Sequence, residues 1–247
     1  MGTPESRLLR IADLARARSL WSASHGDTWV GDREWLAAEI YLELLHIWSG
    51  RMSLISQADC DHLATRHLLP SLAWLPMVSS LPHARILDLG SGAGLPGVPL
   101  AISLPHARVY LVESRRRRAH FLREASRRLG LGAVEVVNAR AEEWSGPDGG
   151  VDLVVSRAVG SPREVVRLAG HCMAPHAHAL VLSAAGGQPG GRPCAPPPGH
   201  AGSLSLCLVA RGPYGAQVIH SYPHAQVDNP DRVATGPDPQ TAWPPTA

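Results

Sequence analysis

The residues of this 247-residue chain best suited to chemistry lie in one short run, Asp88-Leu89-Gly90-Ser91-Gly92-Ala93-Gly94-Leu95-Pro96-Gly97. It follows an apolar stretch, Arg85–Leu89, that reads as a strand. Glycines at that point let the backbone turn sharply and approach a ligand without a Cβ in the way. In open α/β sheets, ligands bind outside the carboxyl ends of the strands, where the strand order reverses. The glycines run GxGxG, whereas the dinucleotide fingerprint is GxGxxG. The next apolar run ends in Glu113, placed to accept hydrogen bonds from two ribose hydroxyls, a feature that dehydrogenases share. Phosphate discriminates better. A pyrophosphate favours a helix N-terminus with free N–H groups, and Pro96 and Pro99 stand where the following helix should begin. Proline has no N–H to offer, which favours a phosphate-free adenosyl ligand such as S-adenosylmethionine. A turn that merely connects two elements is the plain alternative.

A second cluster is basic. Arg115, Arg116, Arg117, Arg118, Arg123, Arg127 and Arg128 fall within one helical stretch, relieved mainly by Glu124. Clustered arginines neutralise phosphates and make binding salt-dependent. Successive helical residues are about 100° apart, so these seven cannot share one face and some must be ordinary solvent-facing side chains. The net charge of +2 says little by comparison, although every basic residue apart from histidine is an arginine.

Around these clusters the pattern alternates. Arg85–Leu89, Arg108–Glu113, Ala133–Asn138, Val151–Ser156 and Ala179–Ser183 read as strands. Pro99–Leu104, Arg115–Leu129 and Pro162–Ala174 read as helices between them. Strands alternating with helices imply parallel pairing with right-handed crossovers, hence an α/β, Rossmann-like, doubly wound, mostly parallel sheet. Ahead of it, Trp35–Trp48 and Asp59–Leu72 have helical periodicity, residues 1–30 show no strong period, and the first 80 residues read as a helical cap. The core is expected over 81–222. Within it, 186–202 is a Gly/Pro-rich loop, and Ser203–Ala210 with Ala216–Tyr222 is a terminal hairpin. The proline-rich stretch 223–247 is expected to be disordered.

Length and a 45% hydrophobic fraction suffice for a sizeable core without staples. Cys60, Cys172, Cys194 and Cys207 form no CxxC pair and no zinc spacing, so no metal site is expected and the thiols read as reduced. No apolar run reaches the roughly 20 residues that span a bilayer, and the N-terminus lacks a signal-peptide core. A cytoplasmic, monomeric protein with no membrane partner is expected.

At residues 35–183 the chain resembles the bacterial 16S ribosomal RNA guanine-N7 methyltransferases, also called glucose-inhibited division protein B. The resemblance is carried by Tyr41–Leu45, Trp48–Leu54, Arg66–Leu69 with Ser71 and Leu72, Asp88–Ala101, Ala139–Glu143 and Ser156–Ala158. It implies S-adenosylmethionine contacts at Gly90, Leu95, Ala141, Glu142 and Arg157, joining Gly92 and Glu113 from the loop reading. It also implies RNA contacts at Arg117 and Arg118, a role for His67, and 16S ribosomal RNA or the small ribosomal subunit as partner. Plainer roles stand beside these: a solvated helix start for Glu142 and Glu143, a salt-bridged arginine for Arg157, a packed histidine for His67.

Methyl transfer from a sulfonium is an in-line displacement whose reactive carbon the cofactor brings. Guanine N7 carries a free lone pair, so no general base, and hence no catalytic side chain, is expected. The chain departs from the family at Ser49, Pro70 and Leu182–Gly186, where asparagine, aspartate and lysine are usual. Two alternatives therefore stay open: a methyltransferase acting on another RNA or a small molecule, and a silent relative that only binds cofactor or RNA.

Overall fold

The computed structural model describes residues 4–157, 159, 162–183, 205–212 and 215–223. Four helices come first: α1 Pro4–His25, α2 Asp32–Ser49, α3 Leu69–Leu72 and α4 Leu75–Ser79. A π-helical turn, Ala64–Leu68, leads into α3. Then follow β1 Arg85–Leu89, α5 Gly97–Ser103, β2 Arg108–Val112, α6 Arg116–Arg128, β3 Val134–Val137, β4 Val151–Arg157, α7 Pro162–Ala169, β5 Met173–Ser183, β6 Ser205–Gly212 and β7 Gly215–Pro223.

The strands form one sheet in the order β3-β2-β1-β4-β5-β7-β6. β1 to β5 are parallel, and β7 runs antiparallel to both β5 and β6. The order reverses between β1 and β4, which opens a crevice at their carboxyl ends. This is the doubly wound architecture that the alternating pattern predicts, and the terminal hairpin falls where its two apolar runs place it.

Alternation along the strands divides the core between the two sheet faces. Ile86, Val109, Leu111, Leu153 and Val155 face a cluster that also holds Trp21, Trp35, Tyr41, Trp74 and Phe121. Leu87, Leu89, Tyr110, Val112 and Val154 face a smaller one with Val165, Leu168 and Cys172 of the α7 side. The N-terminal helices thus share a core with one sheet face, which holds them beside the glycine loop. Among the described residues no helix is long and apolar enough to cross a membrane.

Two elements differ from the sequence reading. Residues 1–30 show no period, yet α1 spans 22 residues. Its buried stripe is Asp13, Ala17 and Trp21, at i, i+4 and i+8, and its first member is a carboxylate. Asp13 is buried because the backbone N–H groups of Ala64 and Thr65 and the Thr65 hydroxyl all donate to it. The predicted helix Pro162–Ala174 stops at Ala169, passes through a single 3-10 turn, and β5 begins at Met173, six residues before the predicted strand. The register jumps from Val151↔Met173 to Leu153↔His178, so the early part of β5 bulges away from ideal pairing. The predicted loop 186–202 and all but the first residue of the predicted tail 223–247 lie outside the described residues.

Candidate functional site at the strand ends

β1 delivers Asp88 and then the glycine loop. The Asp88 carboxylate is buried and accepts the Gly97 N–H at 3.1 Å, while the Ser91 hydroxyl donates to the Asp88 carbonyl at 2.8 Å. Burial pushes the Asp88 carboxyl up to about 7, against the lowering effect of the Gly97 and Ser91 hydrogen bonds. Gly97 is where α5 meets the strand. A Cβ there would collide with the Asp88 carboxylate and lie 2.5 Å from Leu111 Cδ2. This glycine serves helix–strand packing rather than ligand approach.

Gly92 is different. It has φ +56°, and a Cβ on it would meet nothing closer than 3.7 Å. Its backbone therefore faces open space in a conformation that L side chains rarely adopt. Glu113, at the end of β2, lies beside it: one carboxylate oxygen accepts the Gly92 N–H at 3.0 Å, the other the Arg115 N–H at 2.7 Å. Glu113 thus faces the loop, as its spacing predicts, and its first duty is to hold the loop. Each carboxylate oxygen retains capacity for a second hydrogen bond. Leu95 is buried in the same loop, and Val159, just beyond β4, packs against the exposed Gly90.

Arg157 ends β4 on the other side of the crevice. Its Nη2 lies 3.2 Å from His67 Nδ1, and its Nη1 is buried without a hydrogen-bond partner among the described residues. Burial lowers the Arg157 pKa, opposed by the nearby Tyr41, Asp59 and Asp88. His67, on the π-helical turn, also approaches Asp59, with Nε2 3.4 Å from a carboxylate oxygen. Hydrogen bonds from Ser56 and Arg66 hold the Asp59 carboxyl at about 2. Tyr41, from α2, donates to the Ala93 carbonyl at 2.7 Å, and burial raises its hydroxyl well above its usual pKa. Arg157 and His67 thus bear on each other, and Arg157 Nη1 is a buried guanidinium nitrogen of the kind an anion would match.

The other predicted residues stand further out. Ala141 and Glu142 lie in a 3-10 turn after β3; Ala141 is half-buried and Glu142 exposed. Glu143, not Glu142, caps that turn, accepting the Arg140 N–H at 3.4 Å. Arg117 and Arg118 donate to the carbonyls of Arg51 and Ser53 at 3.2 and 3.1 Å, tying α6 to the segment after α2. The structure therefore sets Gly90, Gly92 and Leu95 beyond the carboxyl end of β1, Glu113 at that of β2 and Arg157 at that of β4, with Ala141 and Glu142 in the turn after β3 and the two arginines on α6. Sequence reasoning missed Asp59, which only tertiary structure brings to Arg157, and the anchoring role of Tyr41, whose motif was visible but not its target.

An adenosyl sulfonium amino acid fits these residues. Glu113 has acceptor capacity for ribose hydroxyls, Gly92 offers bare backbone, and Arg157 Nη1 lacks the anion that a carboxylate would supply.

Comparison with known proteins supplies the family. Residues 36–187 match the family model for GidB, rRNA small subunit methyltransferase G. A ribosomal RNA small subunit methyltransferase G of Stenotrophomonas maltophilia strain K279a is 44% identical over 142 residues, covering 58% of this chain and 65% of that protein. The corresponding Xanthomonas campestris pv. campestris strain B100 protein is 39% identical over the same shares. The match thus spans just under two thirds of these relatives' length. Among solved structures, a methyltransferase from Geobacter sulfurreducens aligns with a TM-score of 0.48 at 14% identity, over 75% of this chain and 88% of that one. By the family match, which takes in more than half of its residues, this chain belongs to the GidB family, rRNA small subunit methyltransferase G.

Proposed function

We propose that the protein transfers a methyl group from S-adenosylmethionine to N7 of a guanine in 16S ribosomal RNA. The observation that carries the reading is the pairing, in a member of this family, of open backbone at Gly92 with an unmatched cation at Arg157 across one crevice. S-adenosylmethionine supplies the electrophilic methyl group. Gly90, Gly92 and Leu95 form the bed for the cofactor, Glu113 takes the ribose, and Arg157 takes the carboxylate. Ala141 and Glu142 border the adenine side, and Arg117 and Arg118 face the RNA. Because N7 brings its own lone pair, these residues have to align and desolvate rather than remove a proton.

In this reading residues 1–80 act as a cap over a transferase core at 81–222, and the protein works as a cytoplasmic monomer on the small ribosomal subunit. Titration calorimetry with S-adenosylmethionine tests the cofactor. Methylation of 30S subunits, read by strand cleavage at 7-methylguanine, tests the target. Binding without 30S methylation would reject the target and leave the cradle standing; absence of binding would reject both. Pro70, buried in α3 where the family usually has an aspartate, favours a second reading in which another RNA is methylated. The same assay on total RNA separates the two.

A further inference from the structure

α6 carries more than a diffuse positive charge. At about 100° per residue, Arg116, His120, Arg123 and Arg127 fall within about 60° of one another, a stripe along one side of the helix. Beside the stripe lies an open groove of about 440 Å³, walled by Arg116, Arg117, His120 and Arg123 from α6, Trp48 from α2 and Asn138 from the end of β3. We infer that this groove is a binding subsite for an unpaired ribonucleotide, with its base against Trp48 and His120 and its phosphates on Arg116 and Arg123. The inference rests on the RNA-methyltransferase reading above and adds to it a place where the strand is gripped outside the cofactor crevice.

Three observations support it. Among the described residues no carboxylate lies within ion-pair distance of Arg116 or Arg123, so both charges remain available to phosphate. The Trp48 and His120 rings meet edge to face, with centroids 5.5 Å apart and an interplanar angle of 66°. Trp48 is half-buried and held in place, His120 is exposed, and such a pair offers a ring face at the groove wall. Asn138 donates from Nδ2 to two carbonyls, those of Glu113 at 2.9 Å and Ser114 at 3.0 Å. Two carbonyl partners fix which end of the amide faces inward, so the exposed end is Oδ1, an acceptor suited to a base N–H. Basic side chains interleaved with rings are what single strands use, because every base has a π face. An acidic peptide would use the arginines but not the rings or the amide oxygen. The Asn138–Glu113 contact also joins the groove wall to the residue that holds the glycine loop.

The test is fluorescence anisotropy with the full chain and a labelled 12-nucleotide single-stranded RNA, across a salt series. R116A/R123A should lower affinity at least about tenfold at low salt and flatten the slope of log K against log[salt] by about 1.4, at ~0.7 per phosphate contact for single strands. H120A should lower affinity roughly fivefold or more through the loss of a stacked ring. R16A/R33A removes the same charge from exposed sites on α1 and α2 and should leave the slope as it was. The groove is rejected if R116A/R123A keeps the parent slope, if R16A/R33A flattens it equally, if the matching duplex binds as tightly as the single strand, or if the parent binds no RNA. S-adenosylmethionine affinity of each variant, measured alongside, shows that the fold is intact. Failure of 30S methylation with the RNA effects preserved would reject the target and not the groove.

Discussion

The glycine loop and helix α6 are neighbours, since Glu113 takes one N–H from Gly92 of the loop and one from Arg115, just ahead of α6, yet they settle their polar groups in opposite ways. In the loop the carboxylates are matched internally: Asp88 by Gly97, Glu113 by Gly92 and Arg115. On α6 only the last turn is neutralised, where Glu124 pairs with Arg127 and Arg128. The first turns expose cations with no carboxylate beside them among the described residues. The loop is thus fixed before any ligand arrives, which is where binding to a small cofactor gains most from preorganisation. The helix leaves its charge to be met from outside, as a polyanion requires. Substitutions in the loop should therefore show first in folding and cofactor affinity, and substitutions on the helix in salt dependence.

The largest effect should come from Gly97→Val. Its side chain would enter space held by the Asp88 carboxylate and Leu111, an overpacking of roughly 3 kcal/mol. For a chain of this size that lowers Tm by roughly 6–12 °C. Gly92→Val, five residues earlier, meets no such wall and pays mainly for its positive φ, about 1–2 kcal/mol. It should nevertheless lose S-adenosylmethionine affinity by more than about tenfold, because its side chain stands where the ligand would lie. Thermal melts and calorimetry on both variants decide the matter. If Gly92→Val binds cofactor like the parent, the open face of the loop is not the cofactor bed.

That contrast also marks how far the sequence could be read. The strands were legible because β1, β2 and β4 are apolar runs, and the crevice followed from their order. The glycine loop was legible as a unit, but the division of labour within it was not: whether a glycine admits a ligand or a neighbouring helix depends on Leu111 and Asp88, which only packing brings together. The position of Glu113 beside the loop was legible from its place at the end of a strand, whereas its hold on Gly92 and Arg115 was not, since backbone N–H groups leave no trace in composition. α1 stayed hidden because its buried stripe begins with Asp13, a residue that reads as polar until Ala64 and Thr65 arrive to satisfy it. The start of β5 was lost in Met173–His178, where a proline and two histidines interrupt the apolar pattern.

Asp88 gives the loop a signature in pH. Its carboxyl, raised to about 7 in the folded protein, keeps its proton there while the unfolded chain has released it near 3.8. The native state then binds more protons than the unfolded state between about pH 4 and 7. Its stability advantage is present at low pH and fades as pH climbs through that window. Asp88→Asn removes the titration. Denaturant melts of variant and parent should show the variant gaining on the parent by up to ~1.4 kcal/mol per pH unit across the window, then holding level above pH 7. A difference that stays flat from pH 4.5 to 8 would mean that Asp88 is ionised in place.

The smallest effect tests the other side of the comparison. Glu124 holds Arg127 at 3.0 Å and Arg128 at 2.6 Å on an exposed surface, so Glu124→Gln should leave Tm nearly unchanged. Arg127, however, is the fourth member of the α6 stripe, and Glu124 is the anion competing for it. Freed of that competitor, Arg127 can meet one further phosphate, and the salt slope for single-stranded RNA should steepen by at most about 0.7. Combined with R116A/R123A, the same change should add little, because a phosphate reaches Arg127 along a strand already held at the first two turns. If Glu124→Gln steepens the slope equally in both backgrounds, the stripe does not act as one track, and α6 binds RNA through independent charges.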